Sequence, residues 1–514
     1  MMARARAAVD PADSARTVSL RERCVRDVAL YARGGQTAEL DAWLASDADT
    51  IAERLVGWFG DGLPSDRSQI LLALDRDIAA IDALLSDQVN AILHAGEFQR
   101  MEARWRGLQY IAEAAAGVPA IKIRMLTATW GEVVRDLERA SDFDQSHLYQ
   151  LIYTQEFGTL GGEPMGLLVG DYEVQHVPGP GHPTDDAAAL KSLAAIAAAS
   201  FAPIVMGVSP RLFQLDSFHD LGRPFDLRTV FRQPEYMRWQ QMRQEAELRF
   251  VGLVMPRILM RLPYQPDMAR NDGFHFVETV HRAKGADYLW GNGAFAFASV
   301  VLRAFANFGW FADIRGAPRD EIRGGLVTDL PVPWFATDTR AIAVKPSMEC
   351  ALSDTQEKDL SDLGFIALRR MPFTSHAVFY ANQSLQIPAR YDTALATVNA
   401  RLSSMLQYML CVSRFAHYIK VLGRNCIGSM MTADEVQQAL QRWLMGYCEA
   451  SDDATFDVKA RHPLREGAVE IRETPGKPGA YSCKVFLRPH FQLDDIATGF
   501  RLTTELAPPT TNAA

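Results

Sequence analysis

The sequence predicts a mixed α/β (α+β) protein: a helical N-terminal region, a central mixed sheet with parallel crossover units, and antiparallel strands at the C-terminus. Three observations carry this reading. Apolar residues recur every three to four positions through residue 116, the period of a helix buried on one side. From about residue 120, short apolar runs alternate with helical patterns. From Ala468 onward, polarity alternates by twos between turn residues, as in a strand meander.

Residues 1–19 are small, rich in Arg, Ala and Asp, and without period; they read as a disordered tail. The helical region covers 20–116. Leu20, Cys24, Val28 and Tyr31 share one helical stripe, which Gly34 and Gly35 end. Trp43, Ile51, Leu55, Trp58 and Phe59 mark short helices closed by Gly60–Asp66. Then Leu71, Leu74, Ile78, Ile81, Leu85 and Ile92 follow at spacings of three and four, with Gln88 in the one polar position. That is the a/d seam of a heptad pattern, which serves a partner helix or packs on its own domain. A second helix surrounds Ala103–Tyr110.

The central region is 117–390. Ile121–Leu126 reads as a short strand, followed by helices over Thr129–Ala140 and Gln145–Phe157. Gly161–Val174 is a Gly-bounded strand, Asp185–Ser200 an Ala-rich helix and Ile204–Val208 the next strand. Strand, helix and strand in that order imply a parallel crossover with a buried sheet. Val251–Arg257 reads as another buried strand. Ser192–Pro210 carries no charge and is long enough to register as a membrane span, but Pro203 breaks it, so a helix end, a turn and a strand fit better. In the C-terminal region, 391–506, Tyr391–Leu422 is a long helix or helix pair with Val398, Leu402, Leu406, Met409, Val412, Ala416 and Ile419 on buried faces. Thr432–Tyr447 is a further helix. Ala468–Glu473, Tyr481–Leu487 and Gly499–Leu506 form the meander, and 507–514 is a loose tail.

Composition narrows function more by exclusion than by assignment. With 48% apolar and 22% charged residues in a chain of 514, the protein has the profile of a folded soluble chain of several domains. A net charge of −9 argues against a general nucleic-acid binder, which needs a basic face. The six cysteines include no CxxC pair and read as buried thiols of a cytosolic protein. Arg4 and Arg6 are followed by Asp10 and Asp13 where a secretory signal would be apolar. The best enzymatic candidate is the Gly291–Ala296 loop, GNGAFA, which fits GxGxxG/A, opens an apolar helix and precedes Asp313 by about twenty residues, as in a dinucleotide site. An NAD-binding enzyme is therefore the rival class, although a lone loop of this kind is a weak signal. His275 and His281 flank a short predicted helix containing Glu278; their spacing of six turns them away from a shared face. In ARWRGL, an amphipathic helix with snorkelling arginines fits better than base stacking. No catalytic residue, cofactor or metal ligand is assigned.

Several longer segments bear a resemblance that no single motif carries. They are Glu97–Tyr110, Leu148–Val174, Val251–Asp267, Tyr288–Ala298, Gly324–Phe335, Gly364–Arg369, Arg414–Arg424 and Lys484–Leu493. In this order, from about Leu84 to Leu506, the chain resembles the large subunit of the type VI secretion contractile sheath, the TssC family; residues 1–80 depart from the pattern. The resemblance implies a cytoplasmic, non-enzymatic building block with a sheath-type C-terminal domain. It would pair with a small sheath subunit and stack with copies of itself into a helical tube around inner-tube hexamers. The tube would grow from a baseplate, contract to drive the inner tube outward for effector delivery, and be taken apart by an AAA+ ATPase. A non-contracting regulatory paralogue is the alternative within the same family. The resemblance assigns Phe500, Leu502 and Leu506, on one face of the last strand, to strand sharing with neighbours. It makes the helix carrying Leu20, Val25 and Val28 a candidate for ATPase recognition. The Leu71, Leu74, Ile78, Ile81 and Leu85 seam is the candidate partner-helix contact.

Overall fold

A computed structural model describes residues 19–26, 38–45, 50–159, 161–223, 226–266, 273–280, 285, 287–318, 321–333, 346–371, 374–426, 432–451, 453–473, 481–490 and 500–506. The chain divides into two compact units. One comprises residues 1–98 with 263–280, the other 99–262 with 281–514.

The first unit is helical: α1 (Leu20–Arg26), α2 (Ala38–Leu44), α3 (Ile51–Phe59) and α4 (Arg67–Leu93). Thr50 caps α3 by accepting the Glu53 amide, the interaction expected of a Thr ahead of an apolar periodic run. The core is small. Cys24, Trp58 and Phe59 are buried, with Leu20, Val25, Leu40, Trp43, Leu55, Leu74 and Ile81 packed against them. Gly57 lets the Trp43 ring lie on α3, since a Cβ there would sit 2.9 Å from Trp43 Cδ1. Val28 and Tyr31 lie outside the described residues. The predicted helix between His275 and His281 is not formed over the described residues: 273–280 has no regular secondary structure. Its backbone bonds go sideways instead, the Glu278 amide to the Tyr264 carbonyl (3.0 Å) and the Thr279 amide to Asn90 Oδ1 (3.1 Å). His275 is exposed, and His281 lies outside the described residues.

The second unit holds a six-stranded sheet in the order β1-β2-β3-β7-β8-β6. Its strands are β1 (Leu168–Val174), β2 (Ile204–Val208), β3 (Val251–Met255), β6 (Leu326–Val327), β7 (Phe365–Arg370) and β8 (Ala377–Phe379). A two-stranded ribbon, β4 (Ile258–Leu259) with β5 (Trp290–Gly291), lies apart from it. β1, β2, β3 and β7 pair in parallel, while β8 runs antiparallel to β7 and β6. The helices of this unit that matter below are α5 (Gly96–Ala115), α6 (Trp130–Arg139), α7 (Asp186–Ser200), α8 (Gly293–Phe308), α9 (Asp354–Asp362), α10 (Ala394–Ser403), α11 (Leu406–Cys426) and α12 (Ala433–Met445). As expected, β1–α7–β2 is a parallel crossover.

Strand periodicity divides the sheet's side chains between two cores. Ile204, Met206, Val251, Leu253, Phe365 and Ala367 go to one, together with Leu190, Leu193 and Ile196 of α7. The intervening Val205, Val254, Ile366 and Leu368 go to the other, under Phe295, Phe297 and Val301 of α8. Every residue of β2 and β3 is buried, which is why these strands read as continuous apolar runs. β3 stops at Met255 because Pro256 has no amide to extend a ladder.

Ile121–Leu126 is not a strand. The segment is unpaired, with Met125 and Leu126 more than half exposed. It is held by side chains: Arg124 pairs with Glu156 and Glu163, and Lys122 with Glu163. Apolar alternation alone does not make a strand when no neighbour offers an edge. Elsewhere the helix signals are local and clear. Thr129, Ser353 and Thr432 each close a capping box at α6, α9 and α12. Tyr391–Leu422 resolves into the pair α10 and α11, with Leu402, Leu406, Met409, Val412, Ala416 and Ile419 all buried. Antiparallel β9 (Leu464–Glu473), β10 (Tyr481–Pro489) and β11 (Phe500–Leu506) form the expected meander. Among the described residues no helix is long and apolar enough to cross a membrane.

Candidate assembly surfaces

The Gly291–Ala296 loop is filled by its own protein. Asn292 caps α8 by accepting the Ala294 amide (2.9 Å) and donates to the carbonyl of Tyr172 (3.1 Å). A Cβ at Gly291 would lie 2.2 Å from Met260 Cε, and one at Gly293 would lie 2.7 Å from the Pro256 carbonyl oxygen. The glycines therefore admit protein backbone and Met260, not a pyrophosphate. Asp313, the candidate ribose-binding acid, is buried and accepts the Gly324 amide (3.1 Å). These contacts overturn the dinucleotide reading at this loop.

Several separated segments singled out in the sequence meet in this unit. On α5, Glu102 binds Arg261 (2.7 and 3.3 Å) and Arg106 (2.8 Å). Burial works to raise the Glu102 carboxyl, but the two guanidiniums outweigh it and hold it below the usual range. Gly107 of α5 receives the Phe295 ring, which a Cβ would meet at 2.3 Å. Tyr110 donates to the Thr328 carbonyl (2.8 Å) and accepts from Ser299 (3.1 Å). On α11, Lys420 lies about 5 Å from the rings of Tyr153, Phe157 and Phe201, and burial pushes its ammonium down to about 8. Arg424 donates to the carbonyls of Phe157 and Thr159 (3.3 and 3.0 Å). These contacts knit the unit together; their residue types alone did not announce them.

The α4 seam divides in the first unit. Leu74 and Ile81 pack against the Trp58–Phe59 core. Leu71, Ile78, Leu85 and Ile92, seven residues apart, are 52%, 56%, 46% and 49% exposed. One side of the heptad pattern thus serves the unit's own core, while the other forms an open apolar ridge four residues long. Two of the six positions pack on the unit's own core and four stand open.

Helix α1 rests on this same small core through Leu20, Cys24 and Val25. Its polar anchor carries no motif. Asp77 of α4, 4% exposed, accepts from Arg21 Nε (2.9 and 2.7 Å) and from Trp58 Nε1 (3.0 Å). Arg21 also lies 5.2 Å from the centre of the Phe59 ring. The final strand, with Phe500, Leu502 and Leu506, pairs in full register with β10 of its own chain, from Leu487↔Phe500 to Tyr481↔Leu506. It is the terminal strand of that sheet.

Comparison with known proteins places the chain in a family. Residues 75–386 match the profile described as "EvpB/VC_A0108, tail sheath N-terminal domain". Residues 395–506 match "EvpB/VC_A0108, tail sheath gpW/gp25-like domain". The chain is 38% identical over 437 residues to the type VI secretion system sheath protein TssC1 of Pseudomonas aeruginosa, covering 84% of this chain and 86% of that protein. The first profile begins at residue 75, inside α4, so α1 to α3 lie outside both matches.

Proposed function

Because the chain belongs to the type VI secretion tail-sheath family and is a structural sheath subunit, we propose that it is the large subunit of a cytoplasmic contractile sheath and has no catalytic role. The exposed α4 ridge of Leu71, Ile78, Leu85 and Ile92 is the observation that carries the reading furthest. Four apolar side chains at heptad spacing are what a partner helix needs for a knobs-into-holes seam, and their burial would release apolar surface from water at about 25 cal/mol per Å². In this proposal the partner on the ridge is the small sheath subunit. Leu74 and Ile81 set the pitch of the seam from the inner side.

Neighbouring copies connect through the strand carrying Phe500, Leu502 and Leu506. Strand exchange lets a lattice rotate its subunits as rigid bodies while main-chain hydrogen bonds persist. The resulting tube encloses the inner-tube hexamers, grows from a baseplate, and contracts. The ATPase that recycles it would recognise the N-terminal segment through Leu20 and Val25 of α1 and through Val28. The packing of Leu20 and Val25 favours a site that is read only when α1 lifts from α3 and α4.

Co-expression with the small subunit, followed by electron microscopy, tests the proposal: tubes or cogwheel-like rings are expected. Monodisperse monomers that persist with the cognate partner would overturn it. Deleting residues 499–514 should block tubes while leaving the heterodimer intact.

A further inference from the structure

The two edges of the C-terminal meander are finished differently. β11 ends the sheet on one side and β9 on the other, and α12 lies along the outer backbone groups of β9. Gln441 donates through Nε2 to the Gly467 carbonyl (3.0 Å) and accepts the Val469 amide through Oε1 (2.8 Å). One helical turn earlier, Gln437 Oε1 accepts the Ile471 amide (2.8 Å). A carboxamide carries the donor and acceptor of a peptide group, so Gln441 stands where the next strand's peptide would be. The spacings agree. Residues four apart on a helix rise about 6 Å, and residues two apart on a strand advance about 6.8 Å. Consecutive outward amides of β9 therefore meet two glutamines one turn apart on α12.

Two further features fit the same arrangement. Gly467 allows the helix to approach, since a Cβ there would fall 2.7 Å from Leu444 Cδ2. Nearer the start of β9, the Leu464 amide donates to the Tyr447 carbonyl (3.2 Å) and the Glu449 amide to the Leu464 carbonyl (2.8 Å). The outer side of β9 is thus bonded at Leu464, Gly467, Val469 and Ile471. On the outer side of β11 no strand is paired among the described residues.

We infer that Gln437 and Gln441 seal β9 against strand addition, so that an extended segment from a second copy of this chain enters this sheet only on its β11 side. The inference rests on the reading that the last strand is shared between copies. An unsealed edge is a template for any extended chain, and a subunit open at both edges would accept strands in two places and grow branched or mis-registered assemblies. The seal makes the sheet one-sided by occupying the outward peptide groups of β9 with carboxamides.

The test uses the full-length chain, its Q437A/Q441A variant and the shape-matched Q437M/Q441M variant. The probe is a fluorescent, photoreactive peptide with the sequence of residues 499–507. In the wild type, the Val469 and Ile471 amides should be protected from hydrogen exchange, and crosslinks should map to the β10–β11 side alone. In both variants, with circular dichroism unchanged, those two amides should exchange at least about tenfold faster, and the peptide should gain a second site that crosslinks to 467–471. Crosslinks to β9 in the wild type would overturn the seal. So would amides that stay protected in the variants, or open amides with no second site. A peptide that fails to bind the β11 side of the wild type, yet binds β9 in the variants, supports the seal and counts against strand sharing.

Discussion

The two units treat their apolar residues in opposite ways. In the second, neighbouring residues of β2, β3 and β7 go to opposite cores, and Leu190, Leu253, Phe365 and Phe379 are 0% exposed. In the first, Cys24, Trp58 and Phe59 are the buried apolar residues among those described, while the α4 ridge is about half exposed along its length. The second unit completes its core from its own chain. The first carries an apolar pattern longer than its own core can use, and that surplus is where a partner is expected. The contrast can be broken most directly by placing charge on the ridge. Ile78→Glu with Leu85→Glu leaves two carboxylates to be buried unpaired in any helical seam, at a cost of several kcal/mol. The small subunit should then bind at least about a hundredfold more weakly, near 2.7 kcal/mol. It should also fail to co-purify, while the variant's own melting temperature is unchanged. A complex that survives both substitutions would move the partner surface away from α4.

The converse experiment cuts into the self-sufficient unit. Phe365 lies against the rings of Phe213 and Phe231, at 5.0 and 5.7 Å between centroids. Phe365→Ala should destabilise by about 3–5 kcal/mol, read as a lower urea midpoint, and should reduce assembly only through lost folded protein. A normal midpoint with lost assembly would show that this core also serves an interface.

A third measurement uses pH. Burial lowers the His417 imidazole to about 4, with Arg414 and Lys420 pushing the same way and the Ser200 carbonyl opposing. The folded value is below the ordinary value of about 6.5, so the folded state binds fewer protons than the unfolded chain between them. Stability is therefore full above about pH 6.5 and falls as the pH drops toward 4, by on the order of 3 kcal/mol in all. Urea midpoints taken across that range should show the slope, and His417→Gln should flatten it. A wild type without the slope would mean that His417 is charged inside the core.

Much of the second unit was legible because its signals are local. Asp185, Thr129 and Thr432 sit ahead of apolar runs and cap helices within a residue of the expected starts. Ile204–Val208 is uniformly apolar because both its faces are buried. What could not be read depends on partners far away in sequence. Ile121–Leu126 has strand composition, but its place is set by Glu156 and Glu163. The glycines of GNGAFA have the spacing of a phosphate loop, but Met260 and Pro256 occupy the space. The α4 seam was visible as a seam. Which positions face inward depends on where Trp58 and Phe59 fall, and spacing does not encode that. Gln437 and Gln441 left a faint signal, two amides one turn apart on a helix followed by an edge strand, with no charge or motif to draw attention to them.

The smallest expected effect tests how firmly the first unit holds α1. Asp77 is a buried carboxylate that gathers one donor from α1 and one from α3, so it couples three helices where few apolar contacts do. Asp77→Asn keeps an acceptor but removes the charge that Arg21 neutralises and leaves one donor poorly matched. The cost should be about 1–3 kcal/mol, confined to the first unit. Hydrogen exchange over 20–26 should accelerate and the Trp43–Trp58 fluorescence should shift, while the urea transition of the second unit stays in place. If α1 is the element the ATPase reads, the same substitution should also strengthen ATPase binding to the unassembled chain, because the helix then spends more time away from α4. Unchanged protection over 20–26 would mean that Leu20, Cys24 and Val25 hold α1 by packing alone. The contrast between the units would then be one of core size, with no polar anchor making up the difference.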